Sequence, residues 1–256
     1  MTSAILGGGP VGAVLFDYGL TLVHFDRPME AIEKAQRAIA TRIAAAGHRA
    51  PAVELLRTAV HDRVEAEVAA HEAGGALEEI DVASLERRAF EGIGLHLDPV
   101  LRDDCARMAQ EAWFAGVRPY DDAAAVLQTL RDAGLRVGVC SNAAYRPASM
   151  RDQLRHVGLS DSVDAAVFSG EVGWRKPSPT IFAAALEGLG GRAETTVFVG
   201  DRMREDIDGA HAMGMRAILI SRGGAPAPVP ATSTGPDAVV HSLSELPALL
   251  VGDNEL

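Results

Sequence analysis

The chain has 256 residues, 48% hydrophobic and 23% charged, enough for one large domain or two small ones around a sizeable core. Its net charge of −11 argues against a nucleic-acid backbone or an anionic membrane surface as partner, and no apolar run approaches a bilayer span. The two cysteines, Cys105 and Cys140, form neither a metal-ligand pattern nor a disulfide scaffold, which fits a reducing cytoplasm.

Residues 1–10 carry no basic segment and no long apolar stretch, so they do not read as a signal peptide. Gly7, Gly9 and Gly12 satisfy G-x-G-x-x-G, but the motif precedes a strand instead of following one, and Pro10 interrupts it; dinucleotide binding is set aside. The apolar run Val11–Phe16 predicts a buried strand ending at Asp17. Residues 24 to about 115 show helical periodicity, many alanines and almost no strand signal, with breaks at Gly47–Pro51, Gly74–Gly75, Gly92–Gly94 and Pro99. From about residue 117, strand and helix alternate. Further strands apolar on both faces are expected at Arg136–Cys140, Ala165–Phe168, Thr195–Val199 and Arg216–Ile220, and a short terminal one at Ala238–His241. Helices are expected at Asp121–Ala133, Pro179–Leu189 and Glu205–Met213, and a surface loop at Gly223–Pro236. The pattern predicts an α/β fold, a Rossmann-like parallel sheet core with an inserted all-helical cap.

In such a sheet, ligands bind beyond the carboxyl ends of the strands. The polar residues there are Asp17, Thr21, Ser141, Asn142, Lys176, Asp201 and Asp206. Any one of them alone reads more simply as a turn former, a helix cap or a solvated loop residue; only all the strand ends together point to a site. Carboxylates brought into one crevice repel unless a cation lies between them, and oxygen ligands of this kind suit Mg²⁺. Lys176 and Lys34 are the only lysines, so Lys176 stands out as an anion-binding group.

The ordered segments FDYGLTL, VCSN, RKPSPTIF and VGDRMREDIDGA resemble the four motifs of the haloacid dehalogenase superfamily, across about 160 residues of core. The resemblance implies a core of residues 1–22 and 117–256 with a helical cap of residues 23–116, and a Mg²⁺-dependent hydrolase acting on a small phosphorylated molecule. It implies Asp17 as nucleophile, Thr21 as a buttress of the first loop, and Ser141 with Asn142 as phosphoryl-binding groups. Lys176 is implied as the neutralising cation, Asp201 as a metal ligand beside Asp17 and the Gly19 carbonyl, and Asp206 as a supporting acid. The sequence departs from the family's phosphatases at Gly19, where they usually carry a second aspartate as general acid, a group that typically contributes about 10²–10⁴-fold. Tyr18, His24 and Asp26 follow in the same loop as possible substitutes.

Three alternatives stay open: a metal-independent 2-haloacid dehalogenase, a phosphonate hydrolase using a cap lysine such as Lys34, and a catalytically weak binding protein. The G-D pair Gly200–Asp201, with Asp206, favours phosphoryl chemistry. Trp113 and Phe114 are candidate lining residues with packing as their simpler role. Substrate identity and oligomeric state are not written in the sequence.

Overall fold

The computed structural model describes residues 9–222 and 234–251. Gly7 of the rejected glycine motif and most of the expected Gly223–Pro236 loop fall outside them. The chain builds a Rossmann-like α/β core on a six-stranded, all-parallel sheet. In chain order its strands are β1 (Ala13–Phe16), β4 (Arg136–Ser141), β5 (Ala165–Phe168), β6 (Thr196–Gly200), β7 (Arg216–Ile220) and β8 (Ala238–Val240). They lie in the order β5-β4-β1-β6-β7-β8. The chain leaves β1 for one side of the sheet and returns to its other side at β6. That reversal opens a crevice at the carboxyl ends of β1, β4 and β6.

Alternation along each strand explains the layers. Val14 and Phe16 point into one core with Val137, Val139, Val197 and Val199, under α6 (Ala123–Asp132), α7 (Pro147–His156) and α11 (Leu246–Leu250). Ala13 and Leu15 point into the opposite core with Cys140 and Phe198, under α9 (Pro179–Leu189) and α10 (Gly209–Ala212). Helices on both faces make β1 apolar throughout. At β5 the expected run apolar on both faces is present but less covered. Its first three residues are only half-buried, because an edge strand has a neighbour on one side. The helix α9 starts where proline suits a first turn, with Ser178 capping and Pro179 following, and stops at Gly190, whose φ of 61° is the left-handed geometry a C-terminal glycine permits.

Between β1 and β4 stand α1 (Met29–Ala45), α2 (Val53–Leu56), α3 (Asp62–Ala73), α4 (Val82–Gly92) and α5 (Pro99–Glu111), with a hydrophobic cluster of their own built on Ile39, Ile43, Leu56, Val64, Leu85, Phe90 and Leu101. Aspartates cap two of them: Asp81 accepts from Ser84 N, and Asp98 from Val100 N and Leu101 N. The short α8 (Ser169–Val172) follows β5. Two details differ from the sequence reading. Val23–Phe25 (β2) pairs antiparallel with Val117–Pro119 (β3), a three-residue ribbon too short to produce visible alternation. The expected helix Glu205–Met213 begins instead as a wide π-type turn over Met203–Asp208, because Asp206 turns back to accept from Arg202 N at 2.9 Å.

Candidate active site

Each polar strand end is placed by the apolar run before it. Asp17 leaves β1 with its N–H bonded to Val199 O, so its carboxylate emerges beside the end of β6. Ser141 closes β4, and Asp201 follows Gly200 at the end of β6. Gly200 has a steric reason: a Cβ there would run into the Asp206 side chain. The loop after β1 turns through Leu20, whose φ of 62° is rare for a residue with a side chain. Gly19 itself is not left-handed; a Cβ at that position would lie 3.0 Å from the ring of Phe25 on β2.

At the centre, Lys176 Nζ donates to Asp17 Oδ1 and to Asp206 Oδ1, both at 2.6 Å, and Ser141 Oγ donates to Asp17 Oδ1 at 2.9 Å. All four side chains are buried. Burial works against the Lys176 ammonium, but the adjoining Asp17 and Asp206 outweigh it and hold its pKa above the ordinary lysine value. Asp201 is pushed up to about 7, first by burial and then by repulsion from Asp17 and Asp206. Burial likewise raises Asp206, against the pull of Lys176.

Oxygens of Asp17, Asp201 and Asp206 lie within 4.8 Å of one another, and Asp201 Oδ1 is buried with no hydrogen-bond partner among the described residues. The three carboxylates have Lys176 and the Arg202 guanidinium near them, and their remaining mutual repulsion is what a divalent cation would relieve. The donor set is all oxygen, so these residues fit Mg²⁺. Asp206 has both oxygens committed to Lys176 and Arg202 N, which suits support more than ligation.

The structure brings Asp17, Gly19, Ser141, Asn142, Lys176 and Asp206 to the lining of one cavity of about 320 Å³. The Asn142 amide is engaged with the backbone of Lys176. Its Nδ2 donates to Lys176 O at 3.2 Å and its Oδ1 accepts from Lys176 N at 2.7 Å, so the amide clamps the lysine's backbone. Thr21 is fully buried, but its hydroxyl has no partner among the described residues; only its carbonyl is engaged, by Arg222. Trp113 lines the cavity, whereas Phe114 packs against His156. Of the three substitute acids considered in the first loop, only Tyr18 lines the cavity. His24 packs on Tyr120, and Lys34 is exposed on α1.

Sequence reasoning missed the second half of the cavity. Arg175 is buried and donates to Glu79 and Glu72 at 3.0 Å, and the Ser169 hydroxyl also donates to Glu79. Glu65 and Tyr145 line the cavity beside Arg175. The one available signal was spacing: Glu65 and Glu72 are seven residues apart and share a face of α3.

A buried carboxylate held by lysine and serine at the switch point of a parallel sheet is a group placed where a nucleophile could act. The chain belongs to the haloacid dehalogenase-like hydrolases, whose family model matches residues 11–214. It is 35% identical over 132 residues to a glyceraldehyde 3-phosphate phosphatase of Methanopyrus kandleri, covering 51% of this chain and 55% of that one. It is 32% identical over 186 residues to a phosphoglycolate phosphatase of Rhodospirillum rubrum, covering 65% and 75%. The chain spans about half the length of the first curated relatives it matches. A solved 2-haloacid dehalogenase from Pseudomonas syringae pv. tomato superposes with a TM-score of 0.64 at 26% identity, covering 94% of this chain and 98% of that one.

Proposed function

We propose that the protein is a Mg²⁺-dependent phosphatase of a small phosphorylated molecule, with residues 1–22 and 117–256 as catalytic core and 23–116 as a cap over the site. The observation that carries this reading is the third carboxylate. A nucleophile needs Asp17, Ser141 and Lys176 alone; Asp201, partly buried, with an oxygen that has no hydrogen-bond partner among the described residues and with its carboxylate within 4.8 Å of those of Asp17 and Asp206, is the feature a cation would satisfy. Asp17, the Gly19 carbonyl and Asp201 would hold the ion, which when bound supplies charge neutralisation for a phosphoryl group.

The chain's own residues perform the rest. Asp17 attacks phosphorus and forms an aspartyl-phosphate as the ester bond to the leaving oxygen breaks. Lys176 and the Ser141 hydroxyl are positioned to steady the charge on Asp17 and on the phosphoryl oxygens. The phosphatase relatives support this reading. The main rival is metal-independent dehalogenation, which the Pseudomonas syringae neighbour keeps in view. Turnover of 4-nitrophenyl phosphate with Mg²⁺ and with chelator separates the two. Loss of turnover in chelator is expected; equal rates in both would favour the dehalogenase-type site.

A further inference from the structure

Gly19 leaves the proposed reaction without its usual proton donor, and the first loop does not replace it. A Cβ at Gly19 would lie only 3.0 Å from the Phe25 ring, and His24 lies against Tyr120. The donor has to come from the other titratable groups lining the cavity. Lys176, Asp206 and Glu72 are committed to ion pairs. The Tyr18 hydroxyl is buried without a partner, and burial lifts it far above the ordinary phenol range. Glu205 lies near Arg204, at 3.7 Å.

Glu65 differs from all of these. It lines the cavity from α3, and no cation bonds to it among the described residues. Its Oε1 accepts from the Tyr145 hydroxyl at 3.2 Å, which leaves Oε2 for a transferable proton. We propose that Glu65 is the acid–base residue this chain uses in place of the side chain missing at Gly19, an assignment that rests on the phosphatase reading.

In the first step the Glu65 carboxyl gives its proton to the leaving oxygen while the P–O ester bond breaks and the Asp17–phosphorus bond forms. The products are the free alcohol, the aspartyl-phosphate and the Glu65 carboxylate. In the second step that carboxylate takes a proton from the water that attacks phosphorus. Inorganic phosphate and the Asp17 carboxylate are released, and Glu65 is protonated again.

The surroundings of Glu65 shift it towards the protonated form. Burial raises its pKa above the ordinary value; the Tyr145 hydrogen bond and Arg27 oppose the rise, while Asp62 and Glu72 add to it. Arg27 is itself paired with Asp62. His61, one turn earlier, lines a small cavity of about 40 Å³ together with Glu65, and burial lowers the pKa of that imidazole.

The test is kcat/KM of the Mg²⁺-loaded full chain on 4-nitrophenyl, phenyl and ethyl phosphate across pH. Glu65→Gln should lower kcat/KM on ethyl phosphate about 10²-fold or more and kcat/KM on 4-nitrophenyl phosphate, whose leaving group needs no proton, far less, while kcat falls on both because the second step still needs the base. In the unmodified protein, ethyl phosphate turnover should fall as pH rises through the Glu65 pKa, and Glu65→Gln should remove that limb. Tyr145→Phe keeps the acid but removes a bond that lowers its pKa, so the limb should move to higher pH; this arm stands even if Glu65→Gln folds poorly. Gly19→Asp in the Glu65→Gln background should restore ethyl phosphate turnover, and Glu205→Gln should show no selective loss. Equal losses on all three esters, no loss on ethyl phosphate, or an unmoved limb in Tyr145→Phe would overturn the assignment. If the unmodified protein fails to turn over 4-nitrophenyl phosphate with Mg²⁺, the phosphatase reading itself fails.

Discussion

Lys176 carries the most concentrated electrostatic duty in the molecule, bridging two buried carboxylates from a backbone that Asn142 holds in place. Removing one member of a buried ionic group leaves the others uncompensated, at a cost of about 3–5 kcal/mol. Lys176→Met is therefore expected to lose that much stability in chemical denaturation as well as all turnover. Adding Asp206→Asn should return part of the stability and none of the activity. Asp201 behaves in the opposite sense. Its folded pKa, about 7, is raised above the unfolded carboxylate value, so its stabilising effect is present below that unfolded value and lost as pH rises through about 7. The metal-free protein should melt at lower temperature at pH 8 than at pH 5.5. Mg²⁺ should reverse the loss by binding the ionised form. Asp201→Asn should flatten the pH dependence and abolish the Mg²⁺-induced rise in Tm. A rise in Tm that survives in Asp201→Asn would place the ion elsewhere.

At the scale of elements, the helical insert is tied to the core by ion pairs, Arg175 with Glu72 and Glu79 and Arg146 with Glu86, as well as by the peptide links at its ends. Arg175, in the loop after β5, meets Glu72 at the end of α3 and Glu79 beyond it, while Glu79 N donates to Gly173 O and Arg175 N to Leu77 O. Glu79→Ala would leave a buried guanidinium with one carboxylate partner, and faster proteolysis between α3 and α4 together with a raised KM is the expected result. Unchanged cleavage and KM would mean that the other contacts seat the insert. These contacts join residues about a hundred positions apart, which is why they were not legible in the sequence: nothing in RKPSP says that its arginine is buried. The strands were legible because helices on both faces make them short apolar runs, each stopped by a polar residue. The site residues were legible for the same reason, since Asp17, Ser141 and Asp201 mark those stops. Roles decided by local geometry were not, as with the Asn142 amide turned onto Lys176, or Phe25 brought over Gly19 by a ribbon three residues wide.

The molecule as a whole is acidic, yet cations gather at its cavity: Lys176, Arg175 and Arg202 line it together. Lys176 binds Asp17 and Asp206 at the sheet end, and Arg175 binds Glu72 and Glu79 of the insert, so the sheet and the insert meet at the cavity. No helix among the described residues is long and apolar enough to cross a membrane. The central claim is covalent chemistry at Asp17. Its most direct test is a single-turnover reaction of the Mg²⁺-loaded protein with 4-nitrophenyl phosphate, quenched in acid at short times and mapped by peptide mass spectrometry. The account predicts a transient phosphoryl group on the peptide containing Asp17, forming as nitrophenol is released, decaying as phosphate appears, and absent in Asp17→Asn. Phosphate release with no protein-bound phosphoryl group at any time, or full turnover by Asp17→Asn, would contradict it.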